Sequence, residues 1–392
     1  MTPEKEKKTL DDTIFQRKSL QFERKVLLLL PLTTKKTFFD RLFNLQTDMK
    51  QTILVTGGTG FIGSHTTVEL QNAGYDVVIV DNLSNSRADV IDGIEKITGI
   101  RPAFEKVDLR DFDATEAVFK KYPQISGIIH FAASKAVGES VEKPLLYYRN
   151  NIVSLINLLE LMPKYNVKGI IFSSSCTVYG QPDQLPATEE TPIKKAESPY
   201  GNTKQINEEI IQDTVASGVP IKAILLRYFN PIGSHPSAII GEMPNGVPQN
   251  LIPYLTQTAI GIREKLSVFG DDYDTPDGSC IRDYIYVVDL AKAHVCAMTR
   301  IMEDKTEEPV EVYNIGTGKG TSVLELIHGF EKATGVKLNY QIVGRRAGDI
   351  EKVWGNVDKA NRVLGWKADT PLEDVLASAW KWQKALRERG IM

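Results

Sequence analysis

From Gln51 onward, short apolar runs rich in β-branched residues alternate with amphipathic stretches of helical length. Strands buried on both faces read as near-continuous Val, Ile and Leu, and helical returns between them make the next strand parallel. The pattern predicts strands over residues 52–55, 76–80, 103–107, 127–131, 169–173 and 222–226, with helices between them. Ile152, Leu155, Ile156 and Leu159 recur at i, i+3, i+4 and i+7, placing one apolar stripe on the helix after Pro144. A second helix begins near Tyr200. Beyond about Asn230 the alternation decays into a Gly-, Pro- and Asp-rich stretch over 231–279, and loops of that length in a compact protein tend to carry function. The expected class is α/β: a doubly wound, Rossmann-type parallel sheet over 51–226, with a smaller C-terminal α/β substrate domain over 227–392. Some later segments, such as 310–315, are candidates to return to the first sheet.

Residues 1–48 break the pattern. They are rich in Lys, Glu and Thr, and their apolar run from Val26 to Leu32 is interrupted by Pro31. That run is shorter than the ~20 residues a bilayer span needs, and charges on both sides with no small-residue cleavage site argue against a secretory leader. The segment reads as a poorly ordered extension with one short helix. Met49, just before the first strand, is a candidate natural start, which would make the preceding residues dispensable.

Composition narrows the class further. At 392 residues and 42% hydrophobic the chain can bury an ordinary core, and a net charge of -3 with mixed signs offers no basic face for nucleic acid or an anionic membrane. Cys176, Cys280 and Cys296 form an odd, unpaired set, and the five histidines lack ligand spacing, so neither disulfides nor a metal is expected. A cytoplasmic location fits that cysteine usage.

The first strand runs into Thr56-Gly57-Gly58-Thr59-Gly60-Phe61-Ile62-Gly63, which satisfies G-x-G-x-x-G through Gly58, Gly60 and Gly63. Glycines there permit a tight turn, close approach of backbone to a pyrophosphate and close helix packing, with the helix N-terminus facing the anion. The second strand ends at Asp81, placed to accept hydrogen bonds from the adenosine ribose and to repel the extra phosphate of NADP, which favours NAD. The alternative is that Asp81 caps the following helix. Asp108, ending the third strand, is an adenine-side candidate or a turn residue.

The fifth strand leads into Ser173-Ser174-Ser175-Cys176, and a later segment reads Ser198-Pro199-Tyr200-Gly201-Asn202-Thr203-Lys204. Pro199 suits a first helical turn, so Tyr200 and Lys204, four apart, rise on one face. A phenol of ordinary pKa ~10 is a poor base at neutral pH, but a neighbouring lysine and a bound nicotinamide cation favour its anion. Tyr200 is then a general base, and Ser175 can hydrogen-bond the reacting hydroxyl. Taken alone, Lys204 would read as a surface charge. After a dinucleotide turn and a serine-ended strand, the set resembles the extended short-chain dehydrogenase/reductase superfamily.

Three further strings, His130-Phe131-Ala132-Ala133-Ser134-Lys135-Ala136-Val137-Gly138-Glu139-Ser140, Arg227-Tyr228-Phe229-Asn230-Pro231 and Ile281-Arg282-Asp283-Tyr284, resemble the UDP-glucose 4-epimerase family. That resemblance implies NAD as cofactor, with Lys135 on its pyrophosphate or ribose side and Asn150 and Tyr228 at the nicotinamide end. The cofactor set extends to Phe61, Ile62, Asn82 and Phe131. It implies a UDP-hexose held by Asn230, Asn250, Phe269, Arg282, Arg346 and Asp349, the arginines supplying planar forks for a diphosphate. Counted from Gly348-Asp349, Val353 falls where stricter bacterial members carry a tyrosine beside the sugar's 2-position, leaving room for an N-acetyl group. Otherwise Val353 packs inward, with Glu351 or Lys352 intruding. A homodimer through the helix after Pro144 and the Tyr200 helix is implied too, unless Ile206 and Ile210 belong to the monomer core. Related dehydratases carry Asp-Glu after the active-site hydroxyl residue, where this chain has Cys176-Thr177, and related decarboxylases carry a Glu beside the serine. A noncatalytic NAD sensor would have little use for Ser175, Tyr200 and Lys204 together.

Overall fold

In the computed structural model, which describes residues 50–346 and 349–391, the predicted strands form one sheet with a seventh added from far along the chain. The strands are β1 (Thr52–Thr56), β2 (Asp76–Asp81), β3 (Ala103–Lys106), β4 (Ile125–His130), β5 (Gly169–Ser175) and β6 (Lys222–Tyr228). Shorter strands follow: β7 (Asn230–Ile232), β8 (Leu266–Phe269), β9 (Ile281–Arg282) and β10 (Tyr284–Tyr286). β11 (Val310–Ile315), β12 (Thr321–Ser322), β13 (Tyr340–Val343) and β14 (Lys352–Val353) complete the set. The main sheet runs β11-β6-β5-β4-β1-β2-β3, and every pairing in it is parallel. The chain winds outward from β1 to β3, then restarts on the other side at β4. That reversal between β1 and β4 leaves a crevice at the strands' carboxyl ends, where such sheets bind ligands.

The helices are α1 (Phe61–Asn72), α2 (Val90–Thr98), α3 (Phe112–Lys121), α4 (Val137–Glu142), α5 (Pro144–Lys164) and α6 (Pro199–Ala216). After them come α7 (Leu251–Ala259), α8 (Val287–Met302), α9 (Val323–Thr334), α10 (Asp358–Val363) and α11 (Leu372–Glu388). Strand side chains alternate between two cores. Ile53, Val55, Ile79, Ile129 and Ile171 face Val68 of α1, Ile94 of α2 and Ala297 and Met298 of α8. Leu54, Val78, Ile128, Ile170 and Phe172 face Phe119 of α3, Leu155 and Leu158 of α5 and Ile211 of α6. Of the stripe that the spacing predicts on α5, Leu155 and Leu159 are buried and Ile152 partly so, and the buried face turns away from Ile156. Asn151, Ser154, Leu155, Leu158 and Met162 face inward at i, i+3, i+4, i+7 and i+11, while Ile156 stays outside. Two polar residues joining the buried face hide part of it from a hydrophobicity count.

The sheet contains more than the first half of the chain. β11 pairs with β6 from Val310↔Ala223 to Ile315↔Tyr228, and α8 covers one face, so residues beyond 227 complete both sheet and core. The other late strands pair locally: β7 with β10, β8 with β13, and β9 between β12 and β14. A third core of Ile232, Leu255, Val268, Tyr286, Leu326, Phe330 and Leu376 joins these pieces to α7, α9 and α11. Ser322 and Glu325 cap α9 reciprocally, and Gly335 ends it in a left-handed turn. Among the described residues no helix is long and apolar enough to cross a membrane. The extension expected over 1–48 lies outside the described residues.

Candidate active site

β1 ends at Thr56 and α1 begins at Phe61, so four residues turn the chain. The tight turn that the glycines permit falls at Gly57, whose φ of +70° strains any side chain. A Cβ on Gly57 would lie 2.8 Å from the Ala132 nitrogen, and one on Gly63 only 2.3 Å from the Gly57 carbonyl oxygen. Gly58 instead faces the Ile79 side chain. Gly60, the N-cap of α1, contributes no side-chain cap, and the first turn, which opens with Phe61 and Ile62, has no acidic residue. The result is an uncapped helix start at the crevice, fit for an anion.

Asp81 closes the far side of this turn. Its carboxylate accepts from the Thr59 and Leu83 backbone nitrogens at 3.3 and 2.9 Å and from Ser86 Oγ at 3.0 Å. It therefore caps no helix; it ties β2 to the glycine turn. Arg87, which could have answered a second phosphate, is paired with Asp89 at 2.8 Å. Asp108 lies beside Asn82, with Lys106 and Arg110, in a depression at the ends of β2 and β3. The Arg110 guanidinium holds the Asp108 carboxyl down to about 2.

At the sheet's middle, Phe131 follows β4 and its ring lies 4.7 Å from that of His294. Asn150 donates to Ser134 Oγ at 3.1 Å, while buried Asn151 holds Ser134 by both main-chain groups. Ser175 ends β5 opposite Tyr228 in the β5–β6 register, and Tyr228 hydrogen-bonds Ser173 Oγ. Pro199 starts α6, capped by Ser198, and Tyr200 follows within hydrogen-bond reach of Ser175. Lys204 is 3% exposed. Its Nζ donates to the Ser173 carbonyl at 2.6 Å and sits 5.8 Å from the centre of the Tyr200 ring.

Burial, with Tyr228 adding to it, pushes the Tyr200 pKa up, and the Ser175 hydrogen bond pulls it back in part. Burial likewise lowers Lys204 to about 8, against the pull of Glu208. The lysine is anchored to β5 with its ammonium beside the Tyr200 ring.

The substrate candidates gather at two places. Arg346 forks onto Asp349 at 2.7 and 3.1 Å and lies over the Phe269 ring, while Arg282 Nη2 stands 4.0 Å from the same carboxylate. Asn250 donates to Glu242 Oε1 at 2.6 Å, and Lys135 reaches the same oxygen at 3.4 Å. Thus Glu242, unmarked by any motif, joins a cofactor candidate to a substrate candidate. Asn230 begins β7 with its backbone nitrogen bonded to the Asp283 carbonyl and its side chain outside. Val353 is 2% exposed and packs with Cys176, Val178, Ala187 and Phe229, so it faces the segment that follows Ser175. Glu351 and Lys352 turn instead to Asp274. Sequence reasoning also missed the Glu208–Arg227 ion pair, 2.6 Å and buried, because charged residues in a helix and a strand read as surface.

A model of the NAD dependent epimerase/dehydratase family matches residues 53–316. The chain belongs to that family. It is 51% identical over 337 residues to UDP-glucose 4-epimerase 2 of Arabidopsis thaliana, covering 85% of this chain and 95% of the relative. Among solved structures it is similar to UDP-glucose 4-epimerase from Bifidobacterium longum in complex with NAD+ and UDP, at 49% identity and a TM-score of 0.82, covering 85% and 98% of the two chains. The UDP-Glc/GlcNAc 4-epimerase of Campylobacter jejuni superposes with a TM-score of 0.73 at 35% identity, covering 86% and 99%.

Proposed function

We propose that this chain interconverts UDP-glucose and UDP-galactose by inverting C4 of the hexose, using NAD that stays bound through the cycle. The observation that carries the reading is the meeting of Ser175, Tyr200 and Lys204 at the carboxyl edge of the sheet, beside a backbone cradle with no room for side chains at Gly57 and Gly63. That cradle fits NAD: the α1 N-terminus would take the pyrophosphate, Asp81 the adenosine ribose, and Phe131, Lys135, Asn150 and Tyr228 the remaining contacts. When bound, the cofactor supplies reversible hydride acceptance at C4. Residues 51–226 supply most of this half, and 227–392 most of the substrate half.

The chain's own residues handle the proton and the grip. Tyr200 removes the proton of the C4 hydroxyl, Ser175 hydrogen-bonds that oxygen, and charged Lys204 favours the phenolate that burial opposes. Arg282 and Arg346 exchange their Asp349 contacts for the diphosphate, fixing UDP while the 4-keto hexose turns about its link to the phosphate and shows its other face. Incubating the purified protein with UDP-galactose, without added nucleotide cofactor, tests the reading. UDP-glucose is expected; loss of water would mark a dehydratase, and no turnover a binding protein.

Two finer readings belong here. The relative from Campylobacter acts on both UDP-Glc and UDP-GlcNAc, and Val353, smaller than a tyrosine, leaves this chain room for slower turnover of the N-acetylated pair. We also infer a cytosolic homodimer. All three cysteines are free, and Val137, Val141, Leu145, Leu146 and Ile156 expose an apolar face on α4 and α5, with Leu145 79% exposed. Ile206 and Ile210 are half-buried, with Ile210 packed on the second core, so α5 supplies most of that face. A dimer mass at micromolar concentration supports it, and a monomer mass refutes it.

A further inference from the structure

Glu208 lies one turn beyond Lys204 and two beyond Tyr200 on the inward face of α6, and only 1% of its surface is exposed. Its Oε1 accepts from Ser174 Oγ and from Arg227 Nε at 3.0 Å, and its Oε2 from Arg227 Nη2 at 2.6 Å. In the β5–β6 register Ser174 pairs with Arg227, one step before Ser175 and Tyr228. One carboxylate thus clamps the two strands where they deliver the serine and the tyrosine to the crevice. Arg227 is itself held by Tyr179 Oη at 3.2 Å and the Glu189 carbonyl at 3.3 Å, and Tyr179 donates on to Asn314.

We propose that Glu208 is a positioning residue for the epimerisation: it clamps the ends of β5 and β6 behind Ser175 and Tyr228, and its carboxylate stands one turn beyond Lys204 on the same face of α6 as that lysine's acidic neighbour. The proposal rests on the reading of Tyr200 and Lys204 given above. Among the described residues, Lys204 meets Tyr200 of its own helix, the Phe172 ring and Ser173 carbonyl of β5, and His130 of β4, which burial keeps neutral with its pKa down to about 3. Glu208 is the acidic group acting on the lysine, against burial that lowers it to about 8. A buried ion pair alone is weak evidence even for stability. Its place between the lysine and the two strand ends is what gives this pair a role in the chemistry.

The test compares wild type with Glu208→Gln and with the volume-matched double variant Glu208→Met, Arg227→Met, which removes both members of the Glu208–Arg227 ion pair together. Two readouts are needed: the pH profile of kcat with UDP-galactose, and a carbon NMR titration of Lys204, assigned by its loss in Lys204→Met. In Glu208→Gln the lysine pKa and the alkaline limb of kcat are expected to fall together by about one pH unit, roughly tenfold in kcat on that limb, with KM within about twofold. The double variant, which decides the matter should the single one fail to fold, shifts both in the same direction by less. Unchanged Lys204 titration, with activity lost equally at all pH values or only a lower melting temperature, reduces Glu208 to a structural residue and overturns the proposal. Should wild type leave UDP-hexoses untouched, the functional reading fails while the NMR titration still decides whether Glu208 holds the charge on Lys204.

Discussion

Around Gly57, Asp81 and Tyr200 each group is fixed by buried backbone or by a second buried side chain, whereas around Arg282 and Arg346 charged side chains hold one another near the surface. The Gly57–Gly63 approach leaves no space for a methyl group, and Lys204 is pinned to a carbonyl of β5. Arg346, by contrast, has a side chain 55% exposed and rests on Asp349. The cofactor side is preorganised, as suits a group that stays bound. On the proposed substrate side, admitting a diphosphate would mean opening these ion pairs, and contacts held this way can be traded at little cost.

If that contrast is right, substitutions on the two sides should separate kinetically. Tyr200→Phe should lower kcat by roughly 10²-fold or more while binding of NAD and UDP persists, read by steady-state turnover and cofactor content. Equal loss of cofactor would mean that the phenol holds the cradle together and does not transfer the proton. Arg282→Ala should act mainly on KM for UDP-galactose, by about tenfold or more, and Arg346→Ala less, because Arg282 is the more enclosed of the two, 15% against 55% exposed. A fall in kcat with KM unchanged would move Arg282 to the chemical side. Val353→Tyr should remove turnover of the N-acetylated pair selectively, leaving the glucose pair within about threefold. Equal activity on both pairs would clear Val353 of any part in specificity.

The smallest effect concerns stability. His65, His130 and His294 are buried, and burial lowers their pKa values to about 3, 3 and 4 from 6.5. In that interval the unfolded chain binds protons that the folded one does not, so stability rises with pH there. Melting temperature should fall as pH drops from about 6.5 toward 4, most steeply below 6. A flat profile would mean that these rings take up protons in place.

The same contrast governs what could be read in advance. Glycines that permit a turn, an acid at a strand end and a Tyr and Lys four apart leave a local signature, so the glycine turn and the nearness of Tyr200 to Lys204 were legible. Strands β1, β2 and β4 to β6 were legible because they are buried on both faces around apolar runs, whereas the edge strand β3, Ala-Phe-Glu-Lys, is only partly buried. Glu242 and Glu208 were not. Each works through partners 107 and 19 residues distant in sequence, Lys135 and Arg227, and a carboxylate's long-range partner leaves no mark on its own neighbourhood. Part of the inward face of α5 stayed hidden for a related reason, since Asn151 and Ser154, which join Leu155 and Leu159 there, are buried by hydrogen bonds and not by apolarity.

In the proposed mechanism C4 is inverted by removing a proton from oxygen and hydrogen from carbon, with that same hydrogen returned to the carbon's other face. UDP-galactose carrying deuterium at C4, turned over in ordinary water, tests it directly. The account predicts UDP-glucose with the deuterium fully retained at C4 and turnover no faster than with the unlabelled sugar. Washout of the label into solvent would show that the carbon exchanges a proton with water, and would contradict the roles assigned to Tyr200 and to the bound NAD.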